Sequence, residues 1–105
     1  MVGVTVDGLL ERVGRAYPIT NEEYPGADLS TPRTRLKFAI EHSHKHLSKI
    51  VGKLAAQVEE MDHGGPIDQP ELEVITAKTL ISVLNLAHKL GLSGHRLAGL
   101  VPEHL

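Results

Sequence analysis

Lysines, histidines and acids at helical spacings are the residues of this chain whose types can do chemistry. Lys49 and Lys53 are four apart, and Lys78 lies further along with Ser82 and Asn85 on one narrow polar stripe. If the two stripes face each other, three ammonium groups converge on one spot. Uncompensated, they repel. An anion relieves that repulsion, and phosphate is the obvious one. The competing reading points the lysines into water with their stems lying on apolar surface.

His42, His44 and His46 form the densest histidine cluster. His42 and His46 are four apart, so they project from one helix face about a turn from each other, a spacing that grips zinc. Two ligands do not complete a site; a third would come from His88, His95 or a carboxylate. Without one, the cluster is a solvated His/Lys-rich face. Glu59, Glu60 and Asp62 on one side of Gly64-Gly65, and Glu71 and Glu73 on the other, are the candidate magnesium carboxylates. Acids beside a turn are otherwise simply solvated.

Other chemistries lack their residues. With no cysteine, the chain has no disulfide, thiolate nucleophile or Cys-ligated zinc. It contains no Gly-rich phosphate loop, no Gly-x-Ser-x-Gly and no His-Glu-x-x-His. Ser30, Ser43, Ser48, Ser82 and Ser93 have no evident base-and-carboxylate partnership. A net charge of -2 gives no nucleic-acid footprint. With no Trp and three other aromatic residues, stacking platforms for bases are scarce. The segment 1–7 is neither basic nor apolar enough for a signal peptide, and no apolar run approaches ~20 residues. The expectation is a cytoplasmic protein with neither nucleic-acid nor membrane partner.

The elements that position these residues are helices. The length suits one domain over 1–105. Residues 5–16 predict a short helix with Leu9, Leu10 and Val13 on one face; Gly8 and Gly14 weaken it, so it needs tertiary support. A Pro/Gly/Asn/Asp-rich loop follows over 18–30. Ser30-Thr31-Pro32 starts a long helix reaching about residue 62. Leu36, Ile40, Leu47, Ile50, Leu54, Val58 and Met61 make its apolar seam, with Ser43 as a weak point. His42, Lys45, His46, Lys49, Lys53, Gln57 and Glu60 make the stripe opposite. After the break at 63–66, Asp68 or Gln69 followed by Pro70 starts a helix that runs to residue 90 and stops at Gly91. That helix is apolar nearly all round, so it is central and touched on several sides. One short chain hardly supplies enough neighbours, which predicts association. Ser93 caps a last helix through residue 100, ended by Pro102.

The two long helices carry a resemblance. His46-Leu47-Ser48-Lys49-Ile50-Val51-Gly52-Lys53-Leu54-Ala55 resembles the first motif helix of the MazG-like nucleotide pyrophosphohydrolases, roughly His-Leu-x-Glu-Glu-x-Gly-Glu-Leu-Ala. The stretch 77–93, ending Leu90-Gly91-Leu92-Ser93, resembles the second, which carries Glu-x-x-Asp and then an apolar run ending Leu-Gly-Ile-Asp. The likeness spans about 35–100 and rests on the apolar framework and the Leu-Gly ending. It implies an all-α MazG-like bundle: two long antiparallel helices with short N- and C-terminal helices, completed as a homodimer or homotetramer. The family hydrolyses nucleoside triphosphates to monophosphate and pyrophosphate, with magnesium on the Glu-Glu-x-x-Glu and Glu-x-x-Asp carboxylates.

At those five positions this chain has Lys49, Ile50, Lys53, Ile75 and Lys78. A lysine ammonium has donors only and cannot ligate magnesium. The resemblance therefore implies a protein that has lost catalysis and needs no cofactor. It would bind a nucleotide or phosphate anion through Lys49, Lys53, Lys78, Ser82 and Asn85, or bind a protein partner. Plain loss of the site, or pairing of the lysines with Glu59 or Glu73 of a neighbouring subunit, is the alternative fate of those positions. Two other functions stand beside it. One is an active metal-dependent pyrophosphohydrolase using Glu41, Glu59, Glu60, Asp62, Glu71 and Glu73. The other is a helical interaction module with a metal-binding face at His42 and His46.

Overall fold

A computed structural model describes residues 4–105. The reading of segment 1–7 therefore lies partly outside the described residues. Those residues form four helices and no strand: α1 (Val6–Ala16), α2 (Pro32–Asp62), α3 (Gln69–Lys89) and α4 (Gly94–Glu103). The all-α expectation holds.

Each helix starts where a side-chain oxygen takes up a free backbone N–H. Thr5 accepts from the Gly8 N–H at 3.0 Å and Asp68 from that of Glu71 at 3.1 Å. Ser93 accepts from the Arg96 N–H at 3.0 Å. Of the start at Ser30-Thr31-Pro32, Thr31 is the cap; it exchanges bonds with Thr34, and Pro32 follows where no N–H is needed. α2 and α3 end alike. Gly64 and Gly91 adopt left-handed φ values of 84° and 75°. The following N–H groups, of Gly65 and Leu92, then reach back to the Glu60 and Ala87 carbonyls at 2.9 Å. Glycine is needed at both turns because a side chain disfavours that conformation.

α4 runs past the position expected to end it. Pro102 sits inside its last turn, where its missing N–H leaves only one near-terminal carbonyl without its usual partner. His104 and Leu105 then bond back three residues, closing the turn more tightly.

The six-residue connection between Asp62 and Gln69 returns α3 antiparallel along α2. α3 packs on α2 along one side and on α1 along another, which fits its nearly continuous apolar surface. Leu10, Leu84 and Ala87 form the buried cluster between α1 and α3, with Leu9, Val13, Leu92 and Leu97 against it. Gly14 lets α1 approach so closely that a Cβ there would strike the His88 ring. Lys89 Nζ donates to the Gly14 carbonyl at 3.2 Å, and the Gly94 N–H donates to Asp7 Oδ1 at 2.7 Å, tying α4 to α1. This is the tertiary support that a glycine-bearing α1 requires.

The long seam of α2 is not its packing face. The residues buried on α2 are Ala39, Ser43 and Ile50. At 3.6 residues per turn, Leu36, Ile40, Leu47, Leu54 and Val58 fall to one side of that line. His42, His46, Lys49 and Lys53 fall to the other. α3 therefore packs between the two stripes, leaving Leu36, Ile40, Leu54 and Val58 exposed. Leu80, Val83 and Leu90 on α3 are exposed as well.

The small α1–α3 cluster makes stability sensitive to single residues. Leu10→Ala should cost about 3 kcal/mol, the usual loss for a buried leucine. Gly52→Ala, on a helical surface with nothing within 4 Å of the new Cβ, should add up to about 1 kcal/mol. Urea denaturation of the two variants reads both signs.

Candidate functional site

Between α2 and α3, on the edge carrying the polar stripes, lies a cleft of about 230 Å³. α2 lines it with His42, Ser43, His46, Lys49, Ile50 and Lys53, and α3 with Lys78, Ile81, Ser82 and Asn85. Tyr17, where α1 ends, completes the wall. All five residues singled out as an anion site, Lys49, Lys53, Lys78, Ser82 and Asn85, thus line one cavity. They share the cleft, with each lysine exposed to solvent, because α2 and α3 are antiparallel and α3 packs off-centre from the seam of α2.

The electrostatics are one-sided. Three lysines and no carboxylate line the cleft. The ion pairs among the described residues, Arg15 with Glu11, Lys37 with Glu41 and His63 with Glu59, involve none of these lysines. Packing has placed positive charge in a concave space without a compensating acid, a setting that raises the local concentration of anions.

Two residues of the cleft wall each bury a polar atom without a partner: Ser43 Oγ and Asn85 Oδ1. Ser43 is only 3% exposed. Thr76 and Thr79 on α3 satisfy their hydroxyls by donating to the Leu72 and Ile75 carbonyls at 2.7 and 2.8 Å. The Ser43 hydroxyl makes no such bond. An unsatisfied buried polar group typically costs about 1–3 kcal/mol. Sequence reasoning treated Ser43 as a flaw in an apolar seam. Its burial comes from the line on which α3 packs, which periodicity along α2 alone does not mark.

The histidines behave differently from one another. His42 Nε2 lies 3.0 Å from His46 Nε2 and 3.2 Å from the Tyr24 hydroxyl. Unprotonated, His42 Nε2 has one in-plane lone pair, which accepts from the Tyr24 O–H or from the His46 Nε2–H. Phe38 stacks on His42 with ring centres 5.5 Å apart, and Tyr24 meets both rings at 4.9 Å. His44 is exposed and outside the cleft. Burial, then the charges of His46 and Lys45, lowers the His42 pKa below the ordinary imidazole value.

The acids do not assemble. No group of three or more His, Asp or Glu side chains placed to hold a metal occurs among the described residues. Glu41 is engaged with Lys37 at 3.7 Å and Glu59 with His63 at 2.9 Å. Glu60, Asp62, Glu71 and Glu73 do not line the cleft. His42 and His46 supply two nitrogens and no third protein ligand, since His88 packs over Gly14 instead. Magnesium does not fit the donor set at Lys49, Ile50, Lys53, Ile75 and Lys78, which offers ammonium and alkyl groups where a hard cation needs oxygen. Compared with protein-family models, curated proteins and solved structures, the chain matches none. No helix among the described residues is long and apolar enough to cross a membrane.

The lowered His42 pKa sets a pH dependence. An unfolded imidazole takes a proton at about pH 6.5, before folded His42 does. The stability contributed by neutral His42 is therefore complete above about pH 6.5 and declines as pH falls towards the folded value. In phosphate-free buffer, the melting temperature should drop between about pH 7 and 5, and less steeply in His42→Gln than in the parent. Parallel slopes would contradict the assignment.

Proposed function

We propose that this protein is a MazG-like helical protein that binds a nucleotide or related phosphate anion without hydrolysing it. The observation that carries the reading is the cleft's charge: Lys49, Lys53 and Lys78 line it with no carboxylate among them. Lysine meets phosphate as a point charge with three donors. Ser82 and Asn85 add neutral hydrogen-bonding groups on the α3 side. The cleft lies below the usual range for small-molecule pockets, so a bound nucleotide would extend partly into solvent. Hydrolysis by the family's route begins with metal binding and water activation, and no oxygen donor stands at the positions that would begin it. The likeness to the MazG-like family supports the nucleotide part of this reading through the Leu-Gly ending and the apolar framework.

A second copy of the chain belongs to the same proposal. Exposed Leu36, Ile40, Leu54 and Val58 share the hairpin side away from the cleft with Val83 and Leu90. A 105-residue chain gains most from covering such a stripe. A homodimer formed there, within the cytoplasm, leaves the cleft open.

The test is turnover set against binding. With nucleoside triphosphates and Mg²⁺ or Mn²⁺, the protein should release no pyrophosphate above background. The same nucleotides in EDTA should raise its melting temperature by several degrees. A Lys49→Glu/Lys53→Glu/Lys78→Glu variant should remain folded and lose that rise. Turnover at enzyme-like rates, abolished by changing Glu41, Glu59, Glu60, Asp62, Glu71 or Glu73, would contradict the proposal.

A further inference from the structure

His42 and His46 meet on one side of α2, at the wall of the cleft. Their Nε2 atoms are 3.0 Å apart, and their ring planes are inclined at 65°. A straight N–H···N bond between the two rings would hold their centres about 5 Å apart or more. The centres are 4.6 Å apart, so the ring axes are tilted off the line that joins the nitrogens. The bond is also contested, because the Tyr24 O–H, 3.2 Å away, needs the same lone pair of His42.

The same distances suit an ion held by both rings. Two imidazole nitrogens bound at right angles, with bonds of about 2.1 Å, stand about 3.0 Å from each other. The tetrahedral angle of zinc would spread them to about 3.4 Å. A structural zinc site also needs more protein ligands than this pair supplies. A tetragonal ion such as Cu²⁺ or Ni²⁺ accepts two nitrogens with water oxygen in its other positions. His46 is exposed and His42 half-buried, so water reaches the pair. Burial, then the charges of His46 and Lys45, makes the proton of His42 easier to remove, and a metal takes the unprotonated ring. The charges of Lys45 and Lys49 beside the pair oppose a cation held by charge alone, such as Mg²⁺. They favour one whose bonds to nitrogen are strong.

We propose that His42 and His46 chelate a nitrogen-seeking divalent transition metal, Cu²⁺ most tightly, through their two Nε2 atoms. Water completes the coordination, so the site is open and exchangeable. It does not rest on the anion-binding reading above, since it uses neither the lysines nor phosphate.

The experiment is calorimetry with each metal chloride alone, in a non-coordinating, phosphate-free buffer at neutral pH. One equivalent of Cu²⁺ should bind, more tightly than Ni²⁺ or Zn²⁺, and Mg²⁺ should give no heat. His42→Ala and His46→Ala should each weaken Cu²⁺ by about a hundredfold, the advantage that joining two ligands confers. His44→Ala should bind as the parent does, because that ring is exposed and outside the cleft. A Lys49→Glu/Lys53→Glu/Lys78→Glu variant should bind Cu²⁺ no less tightly, which keeps this test separate from that of the anion site. Electron paramagnetic resonance of the copper-loaded parent should show two imidazole nitrogens, and of His46→Ala only one. Absence of Cu²⁺ binding overturns the proposal. So does binding that survives the loss of either histidine, falls as much in His44→Ala, or shows a different nitrogen count in the parent. Copper binding lost in the triple-lysine variant overturns the site's independence from the lysines.

Discussion

Where α3 turns back along α2, Ile50 and Ile75 are shut away from water, and the charged residues of both helices, Lys89 aside, stay exposed beside that line. That packing line runs between an aliphatic stripe and a basic one, so the hairpin has two unlike sides. One side lines a cleft with three lysines. The other leaves leucine, isoleucine and valine facing outward. Turning α2 by one residue position, about 100°, would press one stripe against α3 and carry the other to the outer face. α1 and α4 brace this arrangement from α3 outward, through the cluster of Leu10, Leu84 and Ala87 and the link from Asp7 to Gly94.

Most of the architecture was legible because its signals are local. Thr31-Pro32, Asp68-Gln69-Pro70 and Ser93 mark helix starts by offering an oxygen to free N–H groups. Gly64 and Gly91 mark ends because only a residue without a side chain turns there cheaply. Pro102 misled because the cost of proline falls steeply near a helix terminus, where few bonds remain to be lost. The identity of α3 as the central helix followed from its apolar circumference. Which stripe of α2 it would cover did not, since periodicity finds stripes but does not rank them against each other.

The site divides in the same way. Lys49, Lys53 and Lys78 were marked by type and spacing, and the antiparallel return brings them to one cleft. The burial of Ser43 was hidden because a serine in an apolar run reads as a tolerated defect, and it depends on where α3 packs. The contact between His42 and His46 was visible as an i,i+4 pair, but Tyr24 reaches His42 from a loop 18 residues earlier. Such a partner has no periodic signal. Burial and neighbouring charge lower the His42 pKa, and no third metal-ligating side chain joins His42 and His46 among the described residues.

If, as proposed, Lys49, Lys53 and Lys78 meet phosphate without a metal ion, the sign of a magnesium effect is the most direct test. Pyrophosphate titrated calorimetrically into the protein in EDTA should bind, and more weakly as salt rises, since screening weakens exposed charge pairs. Adding Mg²⁺ should weaken binding further, because the cation competes with Lys49, Lys53 and Lys78 for the same oxygens. Binding that appears only with Mg²⁺, or tightens when it is added, would contradict the account.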